Sequence, residues 1–380
     1  MLLEELYTQL YQSRYGIYIF LIIILYPIYP LAYPMLLTYW LYKYFFKQKT
    51  STFWHRQPIH SDKYGLIQPP ASVEVKQSAL QLLPDESWVT PTKKELGQFL
   101  AQHYEKDLQI SHQYQDWLQQ YIIFGIKKAG RLIATIGAAP TTFSIGGETR
   151  RGYYVDILCI DRQYRKSGYA PKLIEKLIEM WKETDMEIML FKLDNMQIGP
   201  HPTFTFQYYM LDTTTIQMPT IQNGSSGRLE MVDRSNIVKA YEYFQSQMGR
   251  YEIVEEMTLK RFKRWILNPT GITTSYLMKR GKNRIVGFVN LMKNKYRKAT
   301  DAEIVEVVDV IYCLGNKLEI MPLLLEKLSD IRYYIFLDIM DHKDLISLYQ
   351  MKPLYTTNYY FYNYELLKKY EPTDVGINRF

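Results

Sequence analysis

The longest apolar stretch of the chain lies near its start. Residues 15–42 include no charged side chain, and that run exceeds the roughly 20 residues a membrane-spanning helix needs. The pattern predicts an N-terminal membrane anchor within residues 1–50. A core helix of a soluble domain rarely runs so far without a polar face, and a cleaved signal peptide is shorter and ends in small residues. Pro27, Pro30 and Pro34 each remove a backbone donor. One kinked span, a re-entrant hairpin, or a shorter span followed by an interfacial helix all satisfy that constraint. Lys43, Lys47 and Lys49 follow directly, whereas Glu4, Glu5 and Arg14 precede the run. The positive-inside bias therefore puts everything after Lys43 in the cytosol.

The pattern then changes. A stretch rich in Pro, Ser and Gln reads as a linker to about residue 90. Thr90-Pro91-Thr92 signals a helix start, and the helical pattern covers 93–106. Residues 121–127 are apolar and β-branched, a turn falls at Lys128-Ala129-Gly130-Arg131, and 132–140 forms the return strand. A second turn at Gly146-Gly147 precedes a third strand over 152–160. Leu173, Ile174, Leu177, Ile178 and Trp181 recur at helical spacing within 171–182. After the glycine- and serine-rich break at Asn223-Gly224-Ser225-Ser226-Gly227 the plan repeats. Helices are predicted over 237–248 and 258–267, strands over 273–278, 284–291 and 303–311, a helix over 320–331, and strands over 334–340 and 359–365. Two consecutive runs of helix, antiparallel strands, helix and strand predict an α+β fold built by internal duplication, with halves 51–222 and 223–380.

Composition narrows the partners. The 380 residues carry a formal net charge of +7 and are 47% hydrophobic, which excludes disorder as an overall state. The excess Lys and Arg are scattered and no helix-turn-helix, zinc-finger or RNP pattern accompanies them, so nucleic acid is not the expected partner. An anionic co-substrate or membrane surface accounts for the charge equally well. Two cysteines and six histidines show no metal-ligand spacing, and no metal is expected.

The chemistry concentrates in residues 154–174. A β-branched strand runs through Asp156, Ile157, Leu158, Cys159 and Ile160 into Arg162, then Arg165-Lys166-Ser167-Gly168-Tyr169-Ala170-Pro171, and then into an amphipathic helix. Arg-x-x-Gly-x-Ala at a strand-to-helix turn suits a pyrophosphate. Outward-pointing N–H groups and the dipole favour an anion, small residues allow close approach, and Arg162, Arg165 and Lys166 add full charges.

This arrangement resembles the acetyl-CoA signature of the GNAT acyltransferases. On a wider view it is similar to the N-myristoyltransferase family. Leu158-Cys159-Ile160 with Ala170-Pro171, the strand from Leu132 to Pro140, and Phe53-Trp54 with Gln57-Pro58 carry the likeness in the first half. Pro200-His201-Pro202 with Thr205 and Tyr208, Leu337-Asp338-Ile339-Met340-Asp341, the tyrosine-rich 359–364 and the closing 375–380 carry it further, in order. The resemblance implies two tandem GNAT-like halves related by a pseudo-twofold repeat, acyl-CoA bound by the first and peptide by the second. It implies transfer of a myristoyl group from acyl-CoA, a co-substrate and not a resident cofactor, to the N-terminal glycine amine of a protein.

By resemblance, the thioester oxygen is met by the backbone amides of Ile157 and Leu158, which requires a strand bulge there. The base is the terminal carboxylate of Phe380, and Phe53, Trp54, Arg162 and residues 165–171 hold acyl-CoA. Four departures stand out. Asp156 replaces an Asn, Asp194 falls about where a Thr is placed near the amine, and Lys352-Pro353-Leu354-Tyr355-Thr356-Thr357 lacks a Gly-Asp-Gly stretch. The acidic loop is reduced to Glu105, Lys106 and Asp107. A different amine acceptor, or an inactive membrane-tethered acyl-CoA and peptide binder, are the alternative readings.

Overall fold

In chain order the elements are β1 Gly65–Leu66, α1 Gln77–Leu80, β2 Glu86–Val89, α2 Lys93–His103, β3 Ile122–Lys128, β4 Arg131–Ile145, β5 Glu148–Ile160, α3 Tyr169–Lys182, β6 Ile188–Asp194 and β7 Phe204–Asp212. The second half supplies β8 Arg228–Met231, α4 Ile237–Met248, β9 Ile253–Glu256, α5 Leu259–Ile266, β10 Thr273–Arg280, β11 Arg284–Arg297, β12 Ile304–Gly315, α6 Lys317–Lys327, β13 Tyr333–Leu337, α7 Lys343–Leu348, β14 Lys352–Tyr362, β15 Tyr364–Glu365 and β16 Val375–Gly376. This computed structural model describes residues 57–377 apart from 60, 62, 105–119, 195–201, 217–226, 268–270, 298–303 and 341. The anticipated anchor at 15–42 lies outside the described residues. Among the described residues no helix is long and apolar enough to cross a membrane.

One pairing plan occurs twice in the sheet. In the first half β3, β4 and β5 pair antiparallel and β6 joins β5 in parallel; in the second, β10, β11 and β12 pair antiparallel and β13 joins β12 in parallel. The halves are interleaved, not side by side. β14, from the second half, lies between β6 and β7, and β7, from the first, lies between β14 and β13. One fourteen-stranded sheet results among the described residues, which cluster as a single unit. The break near residue 222 therefore separates two stretches of sequence without separating two sheets.

Helices cover both faces. α3 buries Leu173, Leu177, Ile178 and Trp181 on the first half, and Trp181 meets Tyr362 edge-on at 5.5 Å. Each such side chain contributes roughly 1.5–3 kcal/mol of burial. α6 packs Ile320, Met321 and Leu324 on the same plan in the second half. The opposite face carries a shared core in which Phe143 and Tyr154 of the first half join Phe244, Phe262 and Tyr312 of the second.

The stretch read as a linker is folded onto this frame. β1 pairs with β15, Lys182 Nζ donates to the Val73 carbonyl at 2.5 Å, and Lys172 Nζ donates to that of Gln81 at 2.5 Å. Long lysines from α3 satisfy carbonyls that a Pro- and Ser-rich segment cannot pair within itself.

Candidate acyl-transfer site

β5 parts from β6 beyond Val155, which is opposite Phe191. On its other side β5 pairs Asp156 with Gly137 and resumes at Cys159 with Thr135, so Ile157 and Leu158 together oppose Ile136. This is a bulge, two residues against one, at the point where the neighbouring strand splays away. The second half repeats the device. β12 leaves β13 beyond Asp309, and Ile311 is the extra residue opposite the step from Asn290 to Leu291.

The bulge is strained and held. Ile157 has φ +51, a conformation a β-branched residue adopts rarely and at a cost of about 1–3 kcal/mol. Three contacts fix it. Its N–H donates to Asp156 Oδ1 at 2.8 Å, its carbonyl accepts from Thr135 Oγ1 at 3.1 Å, and its side chain packs with Leu96, Phe99 and Leu100 of α2. Gly137 leaves the room, since a Cβ there would lie 2.7 Å from Ile157 Cδ1. Leu158 is 37% exposed, facing outward from the bulge.

Beyond Ile160 the chain turns through residues 161–168 into α3. Gly168 is the N-cap residue with φ +83, and a Cβ there would meet nothing within 4 Å. The glycine thus serves the backbone conformation, and the space before it is open. The first helical bond runs from Lys172 N to the Gly168 carbonyl at 3.4 Å. Pro171, in the first turn, gives up an N–H that has no intrahelical partner in any case. Arg162, Lys166 and Ser167 are exposed beside this helix start, and Ala170 is half-buried.

Not every anticipated ligand is turned outward. Arg165 donates from Nε to the Ile160 carbonyl at 3.3 Å and from Nη2 to the His103 carbonyl at 3.0 Å, tying the loop to the end of α2. Tyr169 is buried, and its hydroxyl donates to Glu86, which also takes Lys128 at 3.3 Å. Burial, with the carboxylate as partner, pushes the Tyr169 phenol up to about 12. Arg165 and Tyr169 therefore build the loop from within.

Sequence reading missed the supports. Thr135 clamps the bulge. Asp161, 1% exposed, accepts from Gln163 N at 3.0 Å, pairs with Arg131 at 3.0 Å and lies 3.7 Å from His103. An Asp at the end of a strand before a turn is a capping signal; its pairing with Arg131 depends on the β4–β5 register. Burial holds the His103 pKa below the ordinary histidine value. Phe53, Trp54 and Phe380 lie outside the described residues, and of Asp194 only the backbone, opposite Thr357 at the end of β6, is described. Lys352 to Thr357 form the first part of β14, with a register shift between Pro353 and Thr356. Among the described residues no group of three or more His, Cys, Asp and Glu is placed to hold a metal ion.

A splayed, bulged strand running through a glycine turn into a helix defines the GNAT class of fold. The model of an acetyltransferase (GNAT) domain matches residues 97–191, the span from α2 to β6 that contains the bulge and the turn. The chain is 20% identical to glycylpeptide N-tetradecanoyltransferase of Kluyveromyces lactis, over 63% of each chain, and 21% identical to a putative glycylpeptide N-tetradecanoyltransferase 2 of Arabidopsis thaliana, over 87% of this chain and 89% of that one. The match thus spans less than two thirds of the length of the Kluyveromyces relative. A Saccharomyces cerevisiae N-myristoyltransferase structure with bound myristoyl-CoA superposes with a TM-score of 0.74 at 16% identity, covering 87% of this chain and 100% of that one. Over one stretch the chain is thus similar to a GNAT domain, and over most of its length to N-myristoyltransferases.

Proposed function

We propose that this protein is an N-acyltransferase that moves a myristoyl group from acyl-CoA to the N-terminal glycine amine of protein substrates. The observation that carries this reading is the bulge at Ile157 and Leu158 beside the Gly168 turn. A thioester lying across the splay would aim its carbonyl oxygen at the Ile157 and Leu158 amides, with the CoA phosphates at the start of α3 among Arg162, Lys166 and Ser167. Losing one oxyanion donor typically costs about 3–4 kcal/mol of barrier.

The amine nitrogen bonds to the carbonyl carbon, the C–S bond breaks, and CoA leaves as its thiol. An α-amino group has a pKa near about 8, so a base must take its proton. The carboxylate of Phe380 is assigned that role. β16 runs parallel to β9, and Ile377 is fully buried, so the chain is heading into the core at its last described residue. The segment 15–42 is assigned as a membrane anchor holding the catalytic unit at the cytosolic surface. A single myristoyl chain binds membranes only marginally, and production at the surface raises capture.

The reading is tested by incubating detergent-solubilised protein with labelled myristoyl-CoA and N-terminal-glycine peptides. Amide product supports it; acyl-CoA binding without product supports the inactive-module alternative. Product on lysine or another amine, and none on glycine, would favour the different-acceptor alternative suggested by Lys352–Thr357 in place of Gly-Asp-Gly. Deleting residues 379–380 is expected to abolish turnover and spare acyl-CoA affinity, and unchanged turnover refutes the role given to Phe380. A truncation lacking residues 1–50 that lipidates its targets equally well in cells refutes the anchor's role.

A further inference from the structure

An oxyanion hole works when its donors lie about 2.7–3.1 Å from the position the oxyanion will occupy. In this structure an oxygen already lies in that range of the Ile157 amide. It belongs to Asp156, a residue only 9% exposed, whose Oδ1 accepts the Ile157 N–H at 2.8 Å. The donor is thus satisfied by an anionic acceptor of the same chain, in the same low-dielectric setting that would strengthen its bond to a developing alkoxide.

We infer that the Asp156 carboxylate is an internal stand-in for the thioester oxygen, which acyl-CoA must displace from the Ile157 amide before reacting. The inference rests on the acyltransferase reading and adds a positioning residue to it. Two features support displacement over permanent occupation. The Ile157 conformation does not depend on Asp156 alone, because Thr135 holds the carbonyl at 3.1 Å and α2 holds the side chain. The adjacent Leu158, the second residue of the bulge, is 37% exposed and has no Cα partner on β4. Of the two bulge residues, Ile157 is the one whose amide is held by the Asp156 carboxylate. A hydrogen bond to a charged acceptor is stronger than one to a neutral carbonyl, so the ground-state thioester competes poorly and the tetrahedral oxyanion competes well. Asp156 thereby weakens binding of the substrate carbonyl.

The test separates the carbonyl oxygen from the rest of acyl-CoA. Affinities of the full-length solubilised protein are measured for two uncleavable analogues with the same tail. One is a ketone that keeps the carbonyl, and the other is an S-alkyl-CoA that lacks it. In the wild type the ketone is expected to bind about as tightly as the S-alkyl compound. In Asp156→Ala the ketone is expected to gain roughly tenfold over the S-alkyl compound. Asp156→Asn, which keeps an uncharged acceptor, is expected to fall between, and it decides the matter if the alanine variant does not fold. A loss of structure would move both affinities together and leave their ratio alone. The same ratio in the wild type and the folded variants overturns the inference. A wild type that binds neither analogue removes the acyltransferase reading, and this inference with it.

Discussion

Gly137 and Ile157 meet across the β4–β5 bulge so closely that a methyl group on the first would lie 2.7 Å from Cδ1 and 2.8 Å from Cγ1 of the second. Ile157 is 1% exposed and packed under α2, so it has nowhere to retreat. Gly137→Ala is expected to destabilise the protein by about 1–3 kcal/mol, the usual cost of overpacking. The displaced bulge also lowers turnover. Urea denaturation and kcat for acyl transfer check the two effects.

Gly168→Ala acts through the backbone alone, because the added Cβ meets no atom within 4 Å. Leaving φ +83 or enduring it costs about 1–2 kcal/mol. The expected result is roughly tenfold weaker binding of CoA, equivalent to about 1.4 kcal/mol, measured by titration calorimetry. Unchanged affinity would separate the turn from the phosphates.

Tyr169→Phe removes the hydroxyl that donates to Glu86, a carboxylate whose side chain is fully buried beside Lys128. A buried acceptor that loses one donor costs about 1–3 kcal/mol. Thermal unfolding is expected to show that loss, with part of it recovered on adding Glu86→Gln, whose neutral amide is less costly to leave short of a partner.

Asp212 on β7 is bound by Arg332 at 3.0 Å and by the Thr214 hydroxyl at 2.7 Å. The Arg332 hydrogen bond, first among the causes, draws its carboxyl down to about 2 from an ordinary 3.8. A carboxyl that titrates lower when folded stabilises fully above the unfolded value and loses that contribution as pH falls. Because Arg332 is 54% exposed, the contribution is about 1 kcal/mol. The stability gap between wild type and Asp212→Asn is expected to hold above pH about 4 and to close toward pH 2, followed by urea midpoints.

The legible parts of the fold are those whose cause is local. Thr92 and Glu95 cap α2 reciprocally, with Glu95 N to Thr92 Oγ1 at 3.3 Å and Thr92 N to Glu95 Oε2 at 3.0 Å, and such a box is written in four consecutive residues. α4 spans Ile237–Met248 as its apolar spacing indicates. β6 and β7 went unread because both lie inside the sheet with neighbours on either side, where a strand's apolar residues need not alternate. The 65–90 stretch looked like a linker because its anchors, Lys172 and Lys182, lie far along the chain. In the site, the turn into α3 could be read from Arg165, Gly168 and Ala170, and the bulge only through resemblance. Asp156 as the acceptor of the next residue's amide depends on φ +51 at Ile157, which no side-chain pattern announces. Arg165 shows the reverse case: its charge suggested a ligand, and its geometry makes it a brace.

The exchange of β7 and β14 across the middle of the sheet has a bearing on how the duplicated chain can be divided. Each piece of a molecule cut after residue 222 would lack a strand that its own sheet requires and would display an unpaired edge where the other's strand belongs. Expressed singly, residues 57–222 and 223–380 are expected to aggregate. Mixed during refolding, they are expected to reassemble into one soluble particle, because each holds the piece the other is missing.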